Sequence, residues 1–575
     1  MSDQPLASEE RFYPTATRLG SSVALVGLGV ITLLGWLLVS ALTICLNESP
    51  RYAAVAQGAL SGSWLASRWL LGLFGGLDTA CQPSALARAL GLIGLVYLAS
   101  LAVLDGGRVP RRLALALVLT VTGASHVVLL ASPALLSTDI LDYASYGRVA
   151  AVHASNPYVV PPAEFAGDAF AGYGAWQGVV TVYGPLWTAV DAAIARALPA
   201  GDAVQLVLVY KGLAELAVLA SLGALWWLLG RWTGPAQRPL ALTVFAWNPL
   251  VLVELVANGH NDALMLLLVL LGMVPLTVLA APEGLRDDEQ ARPGRQTGDR
   301  VSSGFRPVAG GTRLWAAALV CLTLGALVKF VPAAVGAAVA LVWLRRRPGG
   351  RATVLVAGVL LSVVLVVSVP WLSSTDVLRP LLGIVSGGQR FKDGWQDAPA
   401  AWIAVRILPT LGVPAEPATL RESVARAIAW AVTRGVFVAC IALEVRLLWR
   451  QARSEMPVAV RAVVTSSARA LLLAVLLFVT QVYPWYYLWP LPLVTLLGWR
   501  SILAKASVAL TVTFLPAYYL REFQSYGVFY VPLYVAAALV LVVVLNYGAS
   551  AWRAVARQPV RPATLASAEP LVERS

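Results

Sequence analysis

Ser137-Thr-Asp-Ile-Leu-Asp-Tyr-Ala-Ser-Tyr-Gly-Arg148 is the stretch whose reading decides the rest. It follows an apolar run, Leu113 to Ala131, that is long enough to cross a membrane as a helix. Two carboxylates (Asp139 and Asp142), two phenols and a guanidinium come directly after that run. Ionisable groups at the end of a span are costly unless paired or wet, so each is a functional candidate by default. The stretch therefore implies an all-α polytopic membrane protein with a site at the bilayer surface.

The whole chain agrees. Its 575 residues are 58% hydrophobic and 13% charged, against roughly 25% charged in soluble chains. The formal charge of +13 does not imply nucleic acid. Lys and Arg collect in short loops between apolar runs, which is the positive-inside bias, and no basic motif with interleaved stacking aromatics accompanies them. The partner this implies is the lipid bilayer. Cys321 and Cys440 sit in apolar runs, while Cys45 and Cys81 flank one loop and could form a disulfide. The polar start of the chain, ahead of the first apolar run, is the wrong order for a cleaved signal peptide, so the first span is expected to stay.

The hydropathy pattern predicts about 14 transmembrane helices with both termini cytoplasmic. A polar tail over 1–19 precedes two N-terminal spans within 20–110. A core over 111–281 contains a large outer loop, 133–200, in which Ile140 to Ala154 reads as a surface helix and the run after Tyr183 as a surface or re-entrant helix. Residues 282–312, rich in Arg, Asp, Gly and Ser, read as a flexible cytoplasmic linker. The remaining spans fill 313–548, with an outer loop over 372–420, and a cytoplasmic tail covers 549–575. The basic loops alone set this orientation. It places Asp139, His260, Asp262, Lys329, Arg390 and the Tyr483–Trp489 cluster together at the outer membrane surface.

A carboxylate there can take a proton from a hydroxyl. Cations beside it can hold a phosphate and neutralise its charge as it leaves. The chemistry that fits is transfer of a group from a lipid phosphate to a hydroxyl, with aromatic rings facing sugar rings and lipid chains. The substrate-binding candidates are Tyr143, Arg148, His260, Asp262, Lys329, Arg390, Lys392, Tyr483, Trp485 and Tyr486. His126 and His153 have no argued partner. A transporter or flippase of a lipid-linked sugar is the alternative. It would place polar groups near the bilayer midplane in repeated halves, and no clear internal repeat is visible.

Four islands carry a resemblance. They are Ser137-Thr-Asp-Ile-Leu-Asp-Tyr143 with Asn156-Pro-Tyr158; Trp247-Asn-Pro-Leu250 with Asn258-Gly-His-Asn-Asp-Ala-Leu-Met265; Lys329-Phe-Val-Pro332; and Gln481-Val-Tyr-Pro-Trp-Tyr-Tyr-Leu-Trp-Pro490. Spread over about 111–500, their order and sidedness resemble the GT-C glycosyltransferases, and most closely the bacterial polyprenol-phosphomannose-dependent α-mannosyltransferases. The resemblance implies a glycosyltransferase that moves mannose from a polyprenyl-phosphate sugar donor to a glycan or glycolipid acceptor by inverting displacement. Asp139 matches the position of the family's catalytic Asp. Asp142, the second catalytic candidate, departs from the simplest pattern and leaves open which of the two carboxylates is the base. One helical turn would set it on the same face as Asp139, where the pair could instead bind a divalent cation, as in some GT-C enzymes.

Overall fold

In the computed structural model of the chain, which describes residues 15–48, 82–132, 134–170, 172–280, 311–372, 418–479, 482–524 and 530–556, regular structure is helical and no strand occurs among those residues. Among the described residues the first helices are α1 (Thr15–Glu48), α2 (Pro83–Asp105) and α3 (Arg111–Leu130). Two helices too short to span follow, α4 (Asp139–Ala151) and α5 (Pro185–Ala197). Next come α6 (Ala203–Trp232), α7 (Arg238–Ala246), a π-helical segment (Val251–Ala257) and α8 (Asp262–Ala280). The second half holds α9 (Gly311–Val328), α10 (Pro332–Arg345), α11 (Gly350–Ser368), α12 (Ala418–Gln451) and α13 (Met456–Leu473). It ends with α14 (Leu491–Leu497), α15 (Ile502–Gln524) and α16 (Tyr530–Ala556).

The described residues include nine helices long and apolar enough to cross a membrane, or ten if a bent pair counts as one span. The chain is therefore a multi-pass membrane protein. Several of the fourteen expected spans have another form. The apolar run over 239–256 is not one straight helix, since α7 and the π-helical segment meet at 61°. The break falls at Asn248-Pro249. Proline disfavours helix at the residue before it, and the Asn248 side chain accepts the Leu250 N–H at 3.0 Å instead. The apolar run over 487–498 begins in a tight turn, Pro484–Leu488, and continues as the 7-residue α14. At 1.5 Å per residue that helix covers about 10 Å, against about 30 Å of hydrocarbon. The helix α10 has 14 residues and is also short. The expected linker over 282–312 and outer loop over 372–420 lie almost wholly outside the described residues, as do Arg390 and Lys392. Cys45 is disulfide-bonded, whereas Cys321 and Cys440 are free. Cys81, its expected partner, lies outside the described residues.

One contiguous core joins the helices. α8 packs between α6 and α9, α1 packs against α2 and α3, and α15 against α2 and α16. At the edge, α11 leaves Val354, Leu355, Leu361 and Val366 exposed. A helix apolar on its exposed face suits contact with lipid, where such a surface costs nothing.

The two short helices appear where the sequence put them, and α4 is covered by other parts of the protein. Its residues from Asp139 through Val149 are all buried. A helix carrying two Asp and an Arg can sink this far only if each charge finds a partner, and each does, as described below. α4 lies against α5 and α6, and α5 in turn meets α9. The join between α5 and α9 is close. The Gly184 N–H donates to the Val328 carbonyl at 3.0 Å. A Cβ on Gly184 would collide with the Leu327 carbonyl. The join fixes Tyr183 on one side and Lys329 on the other.

Gly184→Ala should force these backbones apart, an overpacking cost of about 1–3 kcal/mol. The thermal unfolding midpoint of the detergent-purified chain should fall, whereas Gly212→Ala, with open space at its Cβ, should leave it near the wild-type value. Equal midpoints for both variants would contradict the close join.

Candidate active site

Asp139 opens α4 and is 7% exposed. The Tyr183 hydroxyl donates to its Oδ2 at 3.1 Å. On the same oxygen, His260 Nδ1 stands at 3.5 Å. Burial pushes the Asp139 carboxyl towards neutrality. The His260 ring, the Lys329 charge and the Tyr183 O–H outweigh it, and the pKa lies below its ordinary value of 3.8. Tyr183 is itself held far above its usual range, by burial and then by the Asp139 charge, so it remains a donor. Asp142 behaves oppositely. Burial, then repulsion from Asp139, raises its pKa to about 7, against the pull of the Trp176 N–H bond. That N–H donates to Asp142 Oδ1 at 3.0 Å, and Thr138 Oγ1 donates to Oδ2 at 3.3 Å.

The second island, Asn258 to Asp262, folds against the first. Gly259 has φ +62, and a Cβ there would meet Ile140 Cδ1 at 2.7 Å, so the turn needs glycine on both grounds. The His260 ring is fully buried, with Asp139 on one side and Glu254 Oε2 at 3.2 Å on the other. Burial opposes its charge, but the two carboxylates win and raise its pKa from 6.5 to about 9. Glu254 sits on the π-helical segment, where its oxygens accept from Tyr519 O–H at 2.8 Å and Asn258 Nδ2 at 3.0 Å. Asn258 Oδ1 accepts the Leu136 N–H at 2.9 Å, tying this island to the segment that leads into Asp139.

Lys329 follows α9 and donates to Asp262 Oδ2 at 2.7 Å. Asp262 is fully buried, and its other oxygen accepts from Trp489 Nε1 at 2.9 Å. The Lys329 ammonium lies 5.8, 5.5 and 6.0 Å from the ring centroids of Trp485, Tyr486 and Trp489, within cation–π range. Trp485 stacks on His260 at 4.0 Å and on Tyr483 at 4.7 Å. The third and fourth islands thus close on the first two through one ring, Trp485.

Asp139, Asp142, Tyr143, His260, Asp262, Lys329, Tyr483, Trp485 and Tyr486 therefore form one cluster. Tyr143 joins it through its hydroxyl, which accepts the Asn261 N–H at 3.4 Å. Arg148 does not join. Its guanidinium bonds Asp168 at 2.7 Å and the Pro199 carbonyl at 2.7 Å, on the far side of α4. The divalent cation weighed for the two Asp lacks a fitting donor set. Asp139 is turned to Tyr183 and His260, Asp142 to the Trp176 N–H, and no group of three His, Cys, Asp or Glu suited to a metal occurs among the described residues.

Sequence reasoning missed Tyr183, Glu254 and Asn261 as site groups. Glu254 had a signal, since it is an acid inside the apolar run Leu250–Ala257. Asn261 is 1% exposed, and neither atom of its amide has a hydrogen-bond partner among the described residues. Such a group costs about 1–3 kcal/mol unless a ligand or water satisfies it.

Comparison with known proteins finds related chains. The family described as "Alpha-(1->6)-mannopyranosyltransferase, N-terminal domain" matches residues 51–345. Alpha-(1->6)-mannopyranosyltransferase A of Mycobacterium tuberculosis is 29% identical over 294 residues, covering 48% of this chain and 46% of that protein. A probable alpha-(1->6)-mannopyranosyltransferase of Mycolicibacterium smegmatis is 27% identical over 455 residues, covering 76% of this chain and 75% of the relative. The match to the first thus spans just under half of that protein's length. No solved structure matches.

The raised pKa of His260 gives a pH dependence with a definite sign. Its stabilising charge is fully present below the unfolded value of 6.5 and is lost as pH rises through about 9. The thermal midpoint of the wild type should therefore fall between those two values. His260→Gln should show a flatter profile over the same window, and parallel profiles would refute the pairing.

Proposed function

The chain belongs to the alpha-(1->6)-mannopyranosyltransferase family, and on that premise we propose that it moves mannose from a polyprenyl-phosphate donor to a hydroxyl of a glycan or glycolipid acceptor. The reaction takes place at the outer face of the cell membrane. The observation that carries the reading is a buried carboxylate kept ionised, Asp139, in one continuous cluster with a partly accessible cation, Lys329.

Asp139 is the base. As the acceptor oxygen bonds to the anomeric carbon, its proton passes to Asp139. The bond from that carbon to the phosphate oxygen breaks, and its electron pair leaves with the polyprenyl phosphate. Attack from the opposite face inverts the centre, so a β-linked donor gives an α-linked product. Asp139 is a weak base, but the hydroxyl becomes acidic as its oxygen bonds to an electron-poor carbon, so a carboxylate suffices. The phosphate needs little protonation to leave. Lys329 neutralises its growing charge, and Tyr483, Trp485 and Tyr486 line the path of sugar and prenyl chain. His260 touches no substrate. It acts as a positioning residue that keeps Asp139 charged. The Asn261 amide, otherwise unsatisfied, meets the sugar hydroxyls.

Two carboxylates with pKa values pushed apart call for different roles. Near neutral pH Asp139 is charged and Asp142, at about 7, is partly protonated. Both Asp142 oxygens accept hydrogen bonds, from the Trp176 N–H and from Thr138, so Asp142 supports the Trp176 loop while Asp139 takes the proton. The orientation rests on the basic stretch Arg345–Arg347, which closes α10 at the end opposite Lys329.

Transfer from radiolabelled polyprenyl-phosphomannose in membranes tests the roles. Asp139→Asn should lower kcat by about 10²–10⁴-fold at unchanged protein abundance. Asp142→Asn should keep activity within about tenfold, and Lys329→Met should raise the donor KM. A fully active Asp139→Asn variant, or a wild type that transfers no mannose, would overturn the reading.

A further inference from the structure

Lys329 and Arg345 stand at opposite ends of α10, and the Arg345 end is strongly basic. The stretches 345–351 and 446–461 together hold eight Arg and one carboxylate, Glu455. Two turns meet there. One closes α10 and leads into α11, and the other joins α12 to α13. The Arg346 guanidinium donates to the Ser454 carbonyl and so ties the turns together. Arg345 lies over the Trp449 ring of α12, 4.5 Å from its centroid. α10 packs on both α12 and α13, so the join continues a helix interface.

The joined turns bring like charges together. Burial first, and then the charges of Arg453 and Arg347, hold the Arg345 pKa below its ordinary value. Arg345 Nε is buried and has no hydrogen-bond partner among the described residues. No carboxylate among those residues pairs with Arg345, Arg347 or Arg453. Arg347 and Arg453 are exposed. A fold that ties two basic turns to each other keeps their repulsion, and an anion seated between them would relieve it.

The surroundings select the anion. Leu344 beside Arg345, Trp449 beneath its guanidinium, and Val445 one turn before Trp449 are all exposed. A tryptophan at the end of a membrane helix sits at the headgroup level of a bilayer. Cations next to exposed apolar side chains match a molecule with a charged head and acyl chains, whereas a soluble anion would leave the apolar part uncovered. The Trp449 ring covers one face of the Arg345 guanidinium and leaves its in-plane N–H groups for phosphate oxygens. We propose that this edge binds an anionic phospholipid, its phosphate among Arg345, Arg347 and Arg453 and an acyl chain along Leu344, Val445 and Trp449. The site lies at the end of α10 away from the catalytic cluster and does not rest on the transfer reading.

Native mass spectrometry of the full chain in detergent, titrated with phosphatidylglycerol, reads the binding directly. Arg345→Gln and Arg453→Gln should each weaken it about fivefold. Arg111→Gln removes the same charge from the exposed start of α3, which packs on α1, and should bind like the wild type. Phosphatidylcholine should bind the wild type at least about fivefold more weakly than phosphatidylglycerol. Inorganic phosphate at the same concentrations should not displace the lipid. Equal binding by the wild type and Arg453→Gln, an equal loss in Arg111→Gln, equal affinity for the two lipids, or displacement by phosphate would each overturn the site. Thermal unfolding separates binding from folding. Without lipid the Arg453→Gln midpoint should match the wild type, because the side chain is exposed. Phosphatidylglycerol should then raise the wild-type midpoint further than that of the variant, and an equal rise in both would count against the site.

Discussion

A charge taken out of water must be answered by another, and His260 is where this chain meets that demand. Its ring sits between Asp139 and Glu254 with no exposure to solvent. Breaking such an arrangement from one side leaves an uncompensated charge, which costs far more than the pair gains. The constraint reaches outward. Glu254 is steadied by Tyr519 and Asn258, and Asn258 by the backbone at Leu136. Asp139 is steadied by Tyr183, whose neighbour Gly184 is joined to the end of α9. Five separate segments are thus held by the placement of a few ions.

The same logic explains the second ion pair. Asp262 is fully buried, and both its oxygens are occupied, by Lys329 and by Trp489. Lys329 keeps some access, with its side chain 17% exposed. A cation that is paired at its back and ringed by Trp485, Tyr486 and Trp489 is oriented before any ligand arrives. Orientation set in advance is what lets an electrostatic contact act without reorganisation.

Much of this was legible in the residues. The all-helical, multi-pass architecture follows from the long apolar runs, and the short loops rich in Arg separate them. The polar islands at the ends of those runs do come together, because an ionisable group beside a span seeks partners. What was not legible depends on tertiary closure. Ile140 to Ala154 has the spacing of a surface helix, yet α4 is buried, because its Asp and Arg residues are paired by groups distant in sequence. Arg148, a substrate-binding candidate, is held by Asp168, twenty residues on. No local pattern reveals such a pairing, nor that of His153 with the same Asp168. Apolar composition outlasted helical geometry at Asn248-Pro249 and in α14, so one run is bent and the other is short.

The break at Asn248-Pro249 also bears on how the protein is made. A bend of 61° inside an apolar stretch frees backbone groups that hydrocarbon cannot satisfy. Asn248 answers one of them by accepting the Leu250 N–H, and its amide N–H donates to the Thr511 hydroxyl, supplied by a helix near the end of the chain. Residues 235–257 are therefore a poor autonomous unit for the insertion machinery. They gain their final form only after α15 has been synthesised and has entered the bilayer, so the segment that carries Glu254 is completed late in biogenesis.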